Sequence, residues 1–282
     1  MRPALSAIPA ALLAACTLLL SGCDRAGTPP EPPVTITLLV VTTPEATAAA
    51  GGPAPMRAAI GAALNESNTA LRDSGVNARF VLAAQAETTF ALTDRLSDLR
   101  ALIDPRDGIF DGVHARRDAA LADVVVFVPE RPGHTINGAI LATPETAFVI
   151  VHREDLGLPK LGLAHEVAHL MGARHDFESD PSRVPFADGH GYRDAEVRTI
   201  MSGGGTLERL GVFSSPLVRR ADRIVGDDSL RNVARVLGLT AAYVASFRGP
   251  VLPTPFRPTG TWPTVSMAGK SGAIACDAYD VR

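Results

Sequence analysis

Apolar and polar positions along this chain repeat with two periods, and the switches between them outline an ordered set of elements. Val34 to Thr42 is a β-branched run that predicts a buried strand, and Met56 to Arg72 carries apolar residues at helical spacing, ending before Gly75. Asn77 to Ala84 predicts a second strand, Leu92 to Ile103 a helix, and Val113 to Leu121 a shorter helix. That helix feeds into Ala122 to Val128, an apolar strand expected to be buried on both faces. Gly138 to Ala142 and Ala147 to His152 read as short extended pieces separated by Pro144, which suits a sheet edge better than its middle. Leu161 to Gly172 is helical again. After it the chain is irregular until Ser229 to Phe247, an amphipathic helix expected to be capped by Ser229. This alternation predicts an α/β domain in which helices cover a mostly parallel, twisted sheet.

Both ends fall outside that pattern. Arg2 is followed by an apolar run from Ala11 to Leu20, too short to span a bilayer, and the first 22 residues read as a secretory signal. Leu20-Ser21-Gly22-Cys23 resembles the lipobox of bacterial lipoproteins. The resemblance implies a lipid anchor on Cys23 and a place in the bacterial cell envelope, on the extracytoplasmic (periplasmic or outer) face of a membrane. Residues 23–33, with four prolines, read as an extended tether, 34–248 as the folded domain, and 249–282 as a proline-rich tail.

Composition narrows the classes. Hydrophobic residues are 46% and charged residues 20%, the balance of a globular protein. A net charge of -3 gives no global field for nucleic acid, which is not expected as a partner. With Cys16 in the signal and Cys23 lipidated, Cys276 is the one cysteine left and no internal disulfide can form. Stability must come from the core and any bound metal.

The chemistry is concentrated in His165-Glu166-Val167-Ala168-His169-Leu170-Met171-Gly172-Ala173-Arg174-His175-Asp176. Four residues apart on a helix, His165 and His169 project from one face and can reach a common ion. Glu166 lies about 100° round the helix from His165, able to reach a metal-bound water without ligating. Gly172 can take the left-handed conformation that ends the helix and lets the chain bring His175 to the same ion. Three neutral nitrogens leave a fourth tetrahedral position for water, the arrangement of a catalytic zinc.

This string resembles the zinc signature of the metzincin metallopeptidases, and its trailing Asp176 is similar to the reprolysin-like (adamalysin) branch. Metzincins carry a methionine in a tight turn beneath the metal, and Arg198-Thr199-Ile200-Met201-Ser202 matches that Met-turn. The resemblance covers about Val34 to Arg248. It implies a single catalytic domain with a central strand at Leu121 to Val128, an antiparallel edge strand near Gly138 to Leu141 for pairing with an extended peptide, an active-site helix, and a C-terminal helix at Ser229 to Arg248. It also implies Zn²⁺ on His165, His169 and His175, Glu166 as general base and then acid, and a peptide or protein substrate cut by a zinc endopeptidase. Phe213-Ser214-Ser215-Pro216 resembles the wall of the pocket beyond the cleaved bond, and reads equally as a proline-terminated loop.

There are departures. Astacins and serralysins place a tyrosine two residues after the methionine, where this chain has Gly203; Tyr192 in the same loop is expected to be a hydrogen-bonded structural residue. The stretch before the first strand is too short for a folded prodomain, which implies synthesis as an active enzyme or control by a separate protein inhibitor. Asp176 could accept from a ligand histidine or pair with a neighbouring arginine. His114, His134, His152 and His190 lack a partner spacing. Asp104, Asp107 and Asp111 read as a solvated turn in preference to a calcium loop, and Arg219, Arg220 and Arg223 as a solvated face. Two other readings stay open: an amide hydrolase acting on cell-wall peptide, and a binding lipoprotein whose metal only stabilises the fold.

Overall fold

The computed structural model describes residues 31–249 apart from 134, 204 and 221. The signal, Cys23, the start of the tether and the proline-rich tail lie outside the described residues, and no described helix is long and apolar enough to cross a membrane. In chain order the elements are β1 (Val34–Thr42), α1 (Pro44–Ala49), α2 (Pro53–Asp73), β2 (Ala78–Glu87), α3 (Arg95–Ile103), α4 (Asp111–Ala119), β3 (Val124–Val128), β4 (Ile136–Asn137), β5 (Phe148–Ile150) and α5 (Gly162–Leu170). Four two-residue strands follow, β6 (Val197–Arg198), β7 (Glu208–Arg209), β8 (Arg219–Arg220) and β9 (Arg223–Ile224), and then α6 (Val233–Val244).

The main sheet has the order β2-β1-β3-β5-β4, parallel throughout except for β4, which runs antiparallel to β5 at the edge. This is the predicted α/β architecture with an antiparallel edge strand, and β3 is its central strand. Alternation within the strands builds two cores. Ile36, Leu38, Val40, Val124, Val126 and Val149 face one side, where they join apolar residues of α2, α5 and α6. Leu39, Val41, Val125, Phe127, Phe148 and Ile150 face the other, against α3 and the start of α4. A central strand covered on both faces explains why β3 is apolar at successive positions instead of alternating.

Two predicted details are corrected. Gly138 to Ala142 is not the edge strand: pairing with β5 falls on Ile136 and Asn137, and Gly138 adds one backbone bond to Phe148. Leu141 has φ 62°, and the N–H groups of Leu141 and Ala142 donate to the carbonyls of His169 and Leu170 at 2.9 and 2.8 Å. Those are carbonyls of the last turn of α5, where His169 O also accepts from Gly172 N at 2.9 Å, so the stretch is claimed by the helix end and not by the sheet. Ser229 is likewise not the cap of the last helix. Its N–H and hydroxyl both donate to Asp227 Oδ1, and Asn232 caps α6 by accepting from Arg235 N.

Candidate metal centre

Helix α5 is buried along its whole length, and it carries His165, Glu166 and His169 into the domain below the sheet. It ends because Gly172, at φ 100°, turns the chain; a Cβ there would lie 2.7 Å from the Phe186 ring. The Ala173 N–H bonds back to Ala168 O, and the chain then pairs with the segment at 189–191, through Arg174 N to Gly189 O and Gly191 N to Arg174 O. That pairing delivers His175 to the two helical histidines.

The three Nε2 atoms form a near-equilateral triangle with sides of 3.0, 3.1 and 3.2 Å. A triangle of that size has a point roughly 2 Å from every corner, the ordinary Zn–N distance. The opposite ring nitrogens fix which lone pairs converge. His165 Nδ1 donates to Ile200 O at 2.8 Å and His169 Nδ1 donates to Ala173 O at 2.9 Å, so in the neutral rings these bonds take the one N–H and leave an Nε2 lone pair on each facing the centre. Converging lone pairs repel unless a cation sits between them. Among the described residues these three are the group positioned to hold a metal ion, and the all-nitrogen set is consistent with zinc.

Glu166 lies outside the triangle. It is buried, with Oε1 4.0 Å from His165 Nε2, and it lines a cleft together with His165, Thr135, Asp155, Lys160, Gly162 and Arg209. Met201 is fully buried, in a tight turn closed by Ser202 N to Thr199 O. Gly191 packs so closely that a Cβ would stand 2.5 Å from the Met201 carbonyl, so a side chain there would displace the turn. Ile200, one residue before the methionine, supplies the carbonyl that orients His165. From the other side, Thr240 on α6 donates to Met171 O at 2.7 Å and ties the last helix to the end of α5.

Asp176 makes bonds that its position in the sequence did not suggest. It accepts from Ser202 Oγ at 3.0 Å and Gly203 N at 2.7 Å, so it joins the third histidine's segment to the Met-turn. Burial pushes its pKa up, but those bonds outweigh it and hold the carboxyl below its ordinary value. Gly203 thus contributes a backbone donor. Tyr192 gives its hydroxyl to Asp194, as expected of a structural tyrosine.

Phe213 to Pro216 is a stitch between distant segments. Phe213 N donates to Ser74 Oγ, and Ser214 Oγ donates to His190 O while accepting from Val233 N. Ser215 and Pro216 line a groove that contains none of the three histidines. The acidic turn behaves as expected, with Asp104, Asp107 and Asp111 each accepting from a nearby backbone N–H.

Of the histidines without a partner spacing, His190 belongs to the site: its Nδ1 donates to His175 O at 2.8 Å and so props the backbone of the third histidine. Only the fold brings it there. Lys160 and Arg209 were also missed, since nothing in their spacing links them to the helix whose cleft they line.

Fold and site together define a reprolysin-like metallopeptidase: the Reprolysin_5 description, metallo-peptidase family M12, matches residues 33–209, and the chain belongs to that family. It is 36% identical over 221 residues to the peptidyl-Asp metalloendopeptidase of Xanthomonas campestris pv. campestris, covering 77% of this chain and 52% of that one. The peptidyl-Asp metalloendopeptidase of Stenotrophomonas maltophilia is 35% identical over 225 residues, with 77% and 53% covered. The chain therefore spans about half the length of these curated relatives. A solved chain from the structure of a chaperone-substrate complex shares the fold, with a TM-score of 0.65 at 18% identity, over 77% of this chain and 40% of that one.

Proposed function

We propose that this chain is a zinc-dependent endopeptidase, with His165, His169 and His175 as metal ligands and Glu166 as the proton carrier. The observation that carries this reading is the Nε2 triangle with a buried carboxylate 4.0 Å from one corner. When bound, zinc supplies Lewis acidity that polarises a carbonyl and acidifies water. Glu166, a carboxylate inside a site largely closed to solvent, takes a proton from the attacking water and returns it to the leaving amine. Met201 and its turn hold the ligand His165 through Ile200 O, and Asp176 fixes the turn to the segment carrying His175. The relatives' name supports a peptidyl-Asp bond as the bond cut. The Leu20 to Cys23 string supports lipid anchoring at Cys23 on the extracytoplasmic face of a bacterial membrane.

Glu166→Gln keeps the size of the side chain and removes its basicity. Cleavage of a peptide library is expected to fall roughly 10²- to 10⁴-fold while bound zinc stays at one per chain by atomic absorption. Equal cleavage by the variant, or cutting that survives a chelator, would remove the reading. Presenting peptidoglycan fragments beside the peptides separates a protease from a cell-wall amide hydrolase.

A further inference from the structure

We propose that the polypeptide after the cut bond runs from Glu166 across Leu161 into an apolar hollow against α2, so that this enzyme favours long substrates with apolar residues a few positions beyond the cut. This rests on the endopeptidase reading above and adds the part of the substrate held away from the metal.

The cleft beside Glu166 and His165 is only about 20 Å³, too small for a side chain, so selection has to come from farther along. Two strips of backbone join that cleft to a larger space. Lys160 and Gly162 line the cleft while Leu161, between them, lines the hollow; Arg209 lines the cleft and Gly211 the hollow. The strips are tied together where Arg209 Nη1 donates to Lys160 O at 2.5 Å. The hollow itself holds about 390 Å³, within the range of ordinary ligand sites.

Its other wall is α2, through Asn65, Glu66 and Thr69. Leu158 lines it too, with its N–H donating to Glu66 Oε2 at 2.7 Å, so this side chain stands on a fixed backbone. Past Asp73 and Arg220, which are paired at 3.4 Å and line both spaces, the hollow continues into a groove of about 800 Å³ lined by Leu217. Leu217 at 91% and Leu158 at 63% are the most exposed large apolar side chains among the described residues, and both lie on this one track. Covering them removes apolar surface from water.

The direction follows from the proton path. Glu166 returns its proton to the leaving amine, so the chain after the cut bond departs on the Glu166 side. The cleft there extends to Gly162 and Lys160 at the start of α5 and includes neither His169 nor His175. At 1.5 Å per residue, Leu161 is about 8 Å along the helix axis from Glu166. An extended peptide advances roughly 3.3 Å per residue, which brings about the third residue after the cut to the hollow.

Peptides that share one sequence through the second residue after the cut, and either stop there or continue with leucines or with serines, test this. The reading is the ratio of kcat/KM for an extended peptide to that of the short one, so that any general loss in a variant cancels. Wild type is expected to gain roughly 10-fold from leucines and little from serines. Leu158→Glu removes apolar surface. Gly211→Phe fills the hollow, since a Cβ at 211 meets only Leu161 Cδ1, at an ordinary 3.9 Å. Each should bring the leucine ratio close to one. Zinc content and thermal melting verify the fold, and Leu158→Ala and Gly211→Leu serve if the first pair does not fold. A leucine gain that survives in a folded variant at either position overturns the proposal, as does an equal gain from serines. The same gain from leucines placed before the cut bond, lost in the same variants, overturns the direction. A wild-type enzyme that cuts long and short peptides equally overturns the hollow's role and leaves the endopeptidase intact, while cleavage of none of them counts against the endopeptidase reading itself.

Discussion

Residues 34–152 and residues 173–232 solve the same problem, holding a chain in one conformation, by different physics. The first region packs long strands between two apolar layers, in which Phe127, Phe110 and Phe90 make ring contacts at 5.1 and 4.2 Å. The second has only two-residue strands, and its buried residues include Arg174, His175, Asp176, Asp188, His190, Thr199, Ser202 and Ser214. Burial of apolar area is non-directional and spread over many contacts, so one lost atom is shared among neighbours. A polar network is directional, and each member removed leaves a partner unsatisfied in a poorly solvated place. The stable half therefore serves as a platform, and the polar half sets where His175 and Met201 stand.

The largest single-site effect is expected in the platform. Phe127→Ala empties the middle of β3 beside Phe110, and truncations of this kind cost about 3–5 kcal/mol. Because both regions share the core around α5 and α6, urea denaturation followed by circular dichroism should show one transition moved to lower midpoint. Two separate transitions would mean that the regions fold independently and that their contrast is one of domains.

Metal removal should act on the other half. A metal present at about 100 times its dissociation constant stabilises the folded chain by about 3 kcal/mol, and that contribution disappears with a chelator. Hydrogen exchange is expected to rise first in residues 173–203, where His175 is held by backbone pairing to 189–191 and by His190, while β1 and β3 amides keep their protection. Uniform loss of protection would remove the distinction between platform and network.

Asp176→Ala comes next, at about 2 kcal/mol, since it strips a carboxylate acceptor from Ser202 Oγ and from the buried Gly203 N–H. The loss should appear as weaker zinc retention in a competition titration as well as a lower melting temperature. A lower melting temperature with unchanged zinc affinity would mean that the Met-turn does not depend on this bond.

The same contrast decides what could be read before folding. Strands β1 and β3 were legible because a β-branched or continuous apolar run has one economical place, a buried parallel sheet. The spacing of His165, His169, Gly172 and His175 was legible because helix geometry and a glycine at φ 100° turn it into a shared point. Gly138 to Ala142 looked like a strand because apolar residues do not reveal which carbonyls their N–H groups will find; here they find the end of α5. Ser229 looked like a cap because a local rule favours serine, and Asp227 took its donors first. Asp176 to Gly203, His190 to His175 and Arg209 to Lys160 obey no spacing rule at all, since each joins segments that only the platform brings together.

The smallest effect, and the sharpest test of how the network's rim behaves, comes from Asp194. Desolvation alone would raise its pKa, but N–H donors of Val197 and Glu196, the Tyr192 hydroxyl and the Arg223 guanidinium outweigh it and bring it down to about 2, against an ordinary 3.8. A carboxylate with a depressed folded pKa adds stability that is fully present above its unfolded value and is lost as pH falls through 3.8 toward 2. The group is partly solvated, so screening limits the contribution to less than about 1 kcal/mol. Asp194→Asn keeps the shape and removes the charge. The gap in melting temperature between wild type and this variant should hold between pH 7 and pH 5 and narrow toward pH 3, and comparing the two cancels the acid loss of metal they share. A gap that stays constant down to pH 3 would mean that the rim is held by its hydrogen-bond geometry and not by the charge.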